Sequence, residues 1–223
     1  ASRDGILPKE DPEAARVVQA QMAAEGVQIL TETRAQKVSV EGGKKVVVTN
    51  TGDRLVVDEI LLAAGRVPNV ENLNLQAAGV EVGKQGVIVN AKLQTTNPKI
   101  YAAGDVIGGY QFTHVAGYEG AVAMQNALIF PTKKADYRVI PWATFTEPEL
   151  ARVGLTEEQA RKRHGDDIMV LRHNFDHVDR AIAEAATDGF AKFITRKNGE
   201  ILGAHIVGPA AGELIHEVVL AMS

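Results

Sequence analysis

The sequence predicts a mixed fold, in which an α/β part is followed by an α+β part with an antiparallel sheet. An amphipathic helical pattern at 11–26 runs into short β-prone segments, which is typical of half of an α/β domain. Gly65 and Pro68 interrupt the pattern and indicate a domain crossing. Near the C-terminus, ITRKNGEIL at 194–202 places Asn-Gly between apolar runs, which favours a β-hairpin.

The elements before residue 138 carry clear local signals. Asp11 suits the N-cap of the first helix, Pro12 its first position and Gly26 the residue after its end. A second helix is predicted at 114–130, where a face of small residues indicates a close neighbour: Ala116, Gly117, Gly120, Ala121 and Met124. Strands are predicted at 27–30, 35–40, 44–50, 54–65, 86–90 and 99–104.

The last part of the chain predicts an α+β unit. A helix is predicted at 156–165 and another from about Pro209 onward. Strands are predicted around 143–147, 151–155, 168–175 and 189–208, and they surround these helices in an order that favours an antiparallel sheet.

Composition excludes several classes of protein. The chain of 223 residues is 45% hydrophobic with a net charge of −4, and it has no long basic run, which argues against nucleic acid and an anionic membrane surface. The basic run at 161–164 is better explained as the solvated end of a helix. No segment approaches the roughly 18 apolar residues of a membrane span, and no signal peptide is seen, so a cytoplasmic protein is expected.

The chain contains no cysteine, which excludes a disulfide framework, a thiolate metal site and a redox thiol within these residues. The first residue is not Met, and the last helical pattern lacks a stop signal. We therefore expect the chain to be a stable piece of a longer protein.

The segment IYAAGDV at 100–106 is the strongest local indication of a ligand site. An apolar strand that ends in Gly-Asp lies where open α/β sheets bind ligands. Gly104 permits close backbone approach, and Asp105 offers oxygens to ligand hydroxyls. The helix that begins near His114 aims its N-terminal dipole into the same region. On the local pattern alone, Asp105 capping a turn is an equal alternative.

The histidines give weaker indications. His173 and His177 with Asp176 and Asp179 suggest a metal cluster, but on a strand the two histidines stand roughly 13 Å apart, so surface residues are favoured. His205 lies in an apolar strand and is expected to be a core residue with satisfied hydrogen bonds.

Longer segments carry a resemblance to a known family. LLAAGRVPN at 61–69, TTNPKIYAAGDV at 95–106, ATFTEPELARVGLTEEQA at 143–160 and the stretch 187–222 together resemble the pyridine nucleotide-disulfide oxidoreductases. These are FAD-dependent flavoproteins, and the chain is most similar to their mercuric-reductase-like and dihydrolipoamide-dehydrogenase-like members. The resemblance covers essentially the whole chain.

The resemblance implies roles for particular residues. Asp105, after Gly104, matches the aspartate that hydrogen-bonds the ribityl chain of FAD. Gly65 matches the glycine at which the nicotinamide domain passes into the FAD domain. Four consecutive residues match the stretch that passes beneath the flavin in the family: Gln111, Phe112, Thr113 and His114. The helix after them points its N-terminus at the pyrimidine end of the ring, which favours the reduced flavin.

The start of the chain bears on the nicotinamide cofactor. Where NAD-preferring members carry an acid that binds the ribose 2′-hydroxyl, this chain reads Ala1-Ser2-Arg3. An arginine and a hydroxyl without an acid favour a 2′-phosphate. NADP is therefore weakly preferred over NAD, with Arg3 as the candidate residue and a solvated loop arginine as the alternative.

The resemblance also implies an organisation and a reaction. Residues 1–66 would form the C-terminal half of a Rossmann-like nicotinamide domain, 67–138 a segment of the FAD domain and 139–223 an interface domain that forms a homodimer. The whole protein would pass a hydride from NAD(P)H to FAD, and electrons on to a disulfide and a small-molecule or disulfide acceptor. The chain has no G-x-G-x-x-G turn, no C-x4-C pair and no His-Pro segment, so alone it is expected to be inactive and to hold FAD weakly.

Two alternatives remain open at this point. The chain could serve only as a non-catalytic dimerisation or binding module, through the residues after about 139. Alternatively, the whole protein could be a flavin reductase without a redox disulfide, although FTEPELARVGLTEEQ argues against this class, which usually lacks the interface domain.

Overall fold

A computed structural model describes residues 5–223. These residues contain five α-helices: α1 (Pro12–Ala24), α2 (Thr113–Leu128), α3 (Glu157–His164), α4 (Asp179–Ala183) and α5 (Ala211–Met222). Their strands are β1 (Ala35–Glu41), β2 (Lys44–Thr49), β3 (Arg54–Val57), β4 (Val82–Gly83), β5 (Gly86–Val87), β6 (Pro141–Thr144), β7 (Glu149–Gly154), β8 (Ile168–Asn174), β9 (Phe190–Arg196) and β10 (Ile201–Gly208). Two 3-10 helices span Gly104–Ile107 and Phe175–His177.

The residues form two compact units. The first contains the chain up to Leu61 together with Arg138–Ser223, and the second contains Leu62–Tyr137. In the first unit, α1 is built as its sequence predicts, because the Asp11 carboxylate accepts hydrogen bonds from the N–H groups of Glu13 and Ala14. Gly26 follows the helix with φ of +90°, as a C′ glycine does.

A five-stranded antiparallel sheet organises the first unit, with the strand order β6-β7-β10-β9-β8. Successive side chains of each strand point to opposite faces of the sheet, and both faces are buried. One face packs on α5 through Val153, Ile206 and Ile215, and the other packs on α1 through Leu150, Phe190 and Val207. The predicted hairpin joins β9 and β10, and the mixed fold class with an antiparallel sheet is confirmed.

A smaller antiparallel sheet, β1-β2-β3, also belongs to the first unit. Its strands are joined by the predicted turns, with positive φ at Gly42, Gly43 and Gly52. The predicted strand at 27–30 and the extension of β3 beyond Val57 are wrong. In the described chain, residues 27–30 and 58–65 belong to no assigned strand or sheet.

The second unit is built around α2. Leu93, Val122 and Ala123 form its core, while the segment predicted as a strand at 99–104 makes only an isolated bridge, between Tyr101 and Gln94. The close neighbour predicted along the small face of α2 occurs at one end of that face, where a Cβ at Gly104 would lie 3.0 Å from the Cβ of Ala116. Within residues 5–223, no atom lies within 4 Å of a Cβ built at Gly117 or Gly120. The helix buries its opposite face in the unit. That buried face comprises Val115, Glu119, Val122, Ala123 and Asn126.

Candidate flavin-binding site

The predicted ligand residues lie in one loop of the second unit. Gly104 is buried with φ of +77° and starts the 3-10 helix, and Asp105 follows it. A Cβ at position 104 would lie 3.0 Å from the Cβ of Ala116 on α2, so this backbone position admits only glycine without strain. The close packing places Asp105 beside the start of α2.

The Asp105 carboxylate is open to a ligand. Its side chain is 52% exposed, and within residues 5–223 it accepts no hydrogen bond, although an ion pair joins it to Arg66 at 3.9 Å. The turn is instead closed by the backbone, where the Gly108 N–H donates to the Asp105 carbonyl at 3.1 Å. The side chain therefore does not act as the turn cap that the local pattern left as an alternative.

The four residues Gln111 to His114 run from the end of this loop into the first turn of α2. Thr113 begins the helix, and no side chain caps it at Phe112. The rings of Phe112 and His114 stack with centroids 5.5 Å apart and an interplanar angle of 12°. Gln111 is half-buried and Thr113 and His114 are exposed. An uncapped helix N-terminus offers N–H donors and a positive dipole end to an anion or an electron-rich ring.

Arg66, which the sequence interpretation did not single out, connects the glycine at 65 to this loop. Its guanidinium donates to the Gln111 carbonyl at 3.1 Å and also faces Asp105. Gly65 itself is exposed with φ of +116° and has no atom within 4 Å of a Cβ position. The sequence signal for Arg66 was a cation directly after the glycine of the LLAAGRVPN motif.

Glu119 is the second residue that the sequence interpretation missed. Its carboxylate, on the buried face of α2, accepts a hydrogen bond from the Gly104 N–H at 2.6 Å. The signal for it was an acid at the spacing of the apolar residues Val115 and Val122. Arg3, the candidate for the nicotinamide 2′-phosphate, lies outside the described residues.

The histidines do not add a metal site. His173 and His177 are exposed, as predicted for surface residues, but their ring centroids are 6.3 Å apart. The predicted separation of roughly 13 Å was wrong because the strand ends at Asn174 and the chain turns into a 3-10 helix. Among residues 5–223, no group of three or more His, Cys, Asp or Glu side chains could hold a metal ion.

A buried ion cluster lies in the first unit, on the sheet face that packs on α1. The Lys192 ammonium contacts carboxylates of Asp11, Glu13 and Glu157 at 3.1, 2.9 and 2.8 Å. Burial alone lowers the pKa of Lys192, but the three hydrogen bonds outweigh it and raise the pKa above its ordinary value. The hydrogen bond from Lys192, with a second from Arg161, lowers the pKa of Glu157.

His205 lies on the same sheet face and is fully buried. Its Nε2 is 3.1 Å from the Leu155 carbonyl, while its Nδ1 has no partner within the described chain. The expectation of a fully satisfied core histidine is therefore only half correct. Burial, followed by the charge of Arg152, lowers the pKa of His205 to about 4, so the ring is neutral at neutral pH.

Among residues 5–223, no helix is both long enough and apolar enough to cross a membrane.

The chain is similar to curated proteins of known activity. It is 40% identical to a mercuric reductase of Staphylococcus aureus over 95% of this chain and 40% of that protein. It is 34% identical to a dihydrolipoyl dehydrogenase of Bacillus subtilis over 99% of this chain and 48% of that protein. The chain thus spans only two fifths to one half of the length of these relatives.

Solved structures give a similar result. LpdA from Mycobacterium tuberculosis superposes with a TM-score of 0.88 at 29% identity, over 96% of this chain and 47% of LpdA. The HOCl-induced flavoprotein disulfide reductase RclA from Escherichia coli superposes with a TM-score of 0.86 at 30% identity, over 99% of this chain and 52% of RclA.

Family profiles cover nearly the whole chain. The profile described as pyridine nucleotide-disulphide oxidoreductase matches residues 1–120, and the profile of that family's dimerisation domain matches residues 140–223. The resemblance noted in the sequence is thereby confirmed, and the chain belongs to the pyridine nucleotide-disulphide oxidoreductase family.

Proposed function

We propose that this chain is part of an FAD-dependent NAD(P)H oxidoreductase of the disulfide reductase class. The observation that carries the proposal is the loop in which the open Asp105 carboxylate lies beside the uncapped N-terminus of α2. In the whole protein, a hydride would pass from NAD(P)H to FAD, and electrons would pass on to a disulfide and a final acceptor. Of the nicotinamides, NADP is weakly preferred on account of Arg3.

The residues of the loop fit an FAD. A carboxylate without hydrogen bonds suits the hydroxyls of a ribityl chain, and an uncapped helix N-terminus suits the electron-rich pyrimidine end of the ring. FAD would supply the transfer of a hydride and of single electrons. Asp105 would bind the ribityl chain, Gln111 to His114 would line the ring, and α2 would favour negative charge on it. Gly65 would keep the neighbouring backbone open at the nicotinamide side.

Membership of the family also supports the predicted domain organisation. Residues 1–66 would contribute to the nicotinamide domain, 67–138 to the FAD domain and 139–223 to the interface domain. The match of the dimerisation profile to residues 140–223 supports a homodimer that forms through this last segment. A cytoplasmic location, the absence of a nucleic-acid partner and a disulfide or small-molecule acceptor complete the proposal.

The proposal is tested in the full-length protein by titrating the apoprotein with FAD and then mixing the holoprotein with NADPH or NADH. We expect a yellow protein whose flavin is bleached by NAD(P)H. Asp105→Asn should weaken FAD binding about tenfold, because a hydrogen bond to a charged group contributes about 1.5–3 kcal/mol. Glu71→Gln, which changes an exposed acid of the same unit, serves as the control.

A full-length protein that binds no FAD would contradict the proposal and support the dimerisation-module alternative. A protein that binds and reduces FAD but has no C-x4-C pair would favour the flavin reductase alternative. If Asp105→Asn and Glu71→Gln both keep the wild-type affinity for FAD, Asp105 is not a ribityl ligand.

A further inference from the structure

A buried carboxylate lies directly behind the candidate flavin loop. Glu119 is 2% exposed, on the helix face that also buries Val115 and Val122. An ionised carboxylate at such a depth is strongly destabilising unless donors surround it. Two donors are present, so the position of Glu119 is fixed by specific contacts on both of its oxygens.

The first donor is the backbone of the flavin loop. The Gly104 N–H donates to Oε2 of Glu119 at 2.6 Å, across 15 positions of sequence. The second donor is the hydroxyl of Tyr137, which lies 2.8 Å from Oε1. Burial and the hydrogen bond to Glu119 raise the pKa of Tyr137, so the phenol keeps its proton and remains a donor.

Gly104 is therefore held on two sides. Its N–H is bonded to Glu119, and its Cα faces Ala116, with no room for a side chain between them. Its φ of +77° sets the direction in which the chain leaves toward Asp105. Because Asp105 is the next residue, the position of its carboxylate depends on how firmly Gly104 is held.

We propose that Glu119 is a positioning residue of the flavin site, which holds the Gly104 backbone so that the Asp105 carboxylate is pre-oriented for the ribityl chain. The inference rests on the proposed function. Ligand groups that are pre-oriented by a supporting shell of hydrogen bonds lose less conformational freedom on binding. Glu119 is buried behind the loop with both of its oxygens bonded to protein groups, so its contribution is to affinity for FAD and not to the chemical step.

The test uses Glu119→Gln in the full-length protein. The substitution keeps the shape of the side chain but replaces a charge-assisted hydrogen bond with a weaker neutral one. We expect the Kd for FAD to rise about tenfold, which corresponds to about 1.4 kcal/mol. At saturating FAD, kcat should return to near the wild-type value, because the reacting groups are unchanged.

Asn126→Ala is the matched control. Asn126 is 3% exposed on the same face of α2 and bonds to the backbone of Lys92 and Lys133, away from the flavin loop. It should lower the thermal midpoint of unfolding while leaving the Kd for FAD within about twofold, since a truncated buried polar group mainly costs folding stability.

The outcomes separate the two proposals. If the wild-type protein binds no FAD, the proposed function fails and this inference fails with it. If the wild type binds FAD and Glu119→Gln binds it equally well, or if Asn126→Ala weakens binding as much, only the inference is overturned. Should Glu119→Gln not fold, Gly104→Ala decides: it strains the same backbone, and a wild-type Kd would show that Gly104 does not orient Asp105.

Discussion

Replacing Lys192 by methionine should strongly destabilise the first unit. The Lys192 side chain is 3% exposed and is the shared cation of three carboxylates. Methionine fills the volume of the stem but has no charge and no donor. The substitution therefore leaves Asp11, which is 1% exposed, without its cation while the fold around it stays packed.

The loss of the Lys192 cation affects the three carboxylates to different degrees, because they differ in exposure to water. Glu13 and Glu157 have side chains that are 35% and 27% exposed, so water can replace part of what Lys192 supplies. Asp11 is enclosed and keeps only the N–H groups of Glu13 and Ala14. Removing one partner of a buried ion pair costs about 3–5 kcal/mol, and this single enclosed carboxylate sets the expected loss.

Urea denaturation measures the loss. Trp142 is the only tryptophan of the chain, and it belongs to the first unit, so its fluorescence reports unfolding of that unit. For a loss of about 4 kcal/mol and a slope of about 2 kcal/mol/M, the midpoint should fall by about 2 M. Lys197→Met, which changes an exposed lysine of the β9–β10 turn, should cost less than about 0.5 kcal/mol. A loss below about 1 kcal/mol for Lys192→Met would refute the reasoning, because Asp11 would then not depend on Lys192.

Two further predictions concern the same sheet. Because burial and Arg152 lower the pKa of His205 from 6.5 to about 4, the unfolded chain binds a proton in this range that the native chain does not. Stability should therefore fall by about 3 kcal/mol as the pH drops from about 6.5 to 4, and His205→Gln should flatten this dependence. Gly154→Ala should cost about 2 kcal/mol or more, because φ is +71° and the new Cβ would lie 2.3 Å from the Leu202 carbonyl oxygen.

Both predictions are checked by urea denaturation followed through Trp142, the first as a series between pH 4 and 7. An unchanged pH profile in His205→Gln would show that the ring is not the responsible group. For the glycine, the control is Gly199→Ala, where φ is +92° but no atom lies within 4 Å, so only the backbone cost of about 1 kcal/mol is expected. Equal losses at the two positions would argue against a steric clash at Gly154.

Much of the local structure could be predicted from the sequence. The N-cap at Asp11, the glycine after α1 and the Asn-Gly hairpin all occur where the residue types place them, because capping and turn formation depend on neighbours within four positions. The strand predictions at 27–30 and 99–104 were wrong, because pairing in a sheet depends on residues that are distant in the sequence. An apolar run specifies a strand only where a hydrogen-bonding neighbour exists, and that neighbour is not encoded in the run itself.

The candidate site was found from the sequence only in part. The motif containing Gly104 and Asp105 could be recognised through the family resemblance, and the structure places these residues beside the start of α2. The supporting residues Arg66 and Glu119 were missed, since neither occurs in a recognisable local pattern of ligand residues. Their roles depend on contacts across 45 and 15 positions of the chain.

The sequence by itself determined the fold class, the caps and turns, and membership of the family. Only the tertiary structure decided which polar groups meet in the interior. Lys192 and Asp11 are separated by 181 positions, and the Gly104 N–H could have been satisfied by any nearby acceptor. Side chains this distant become neighbours through the packing of α1 on the sheet and of α2 on its loop. The desolvation cost of a buried charge then requires that they pair.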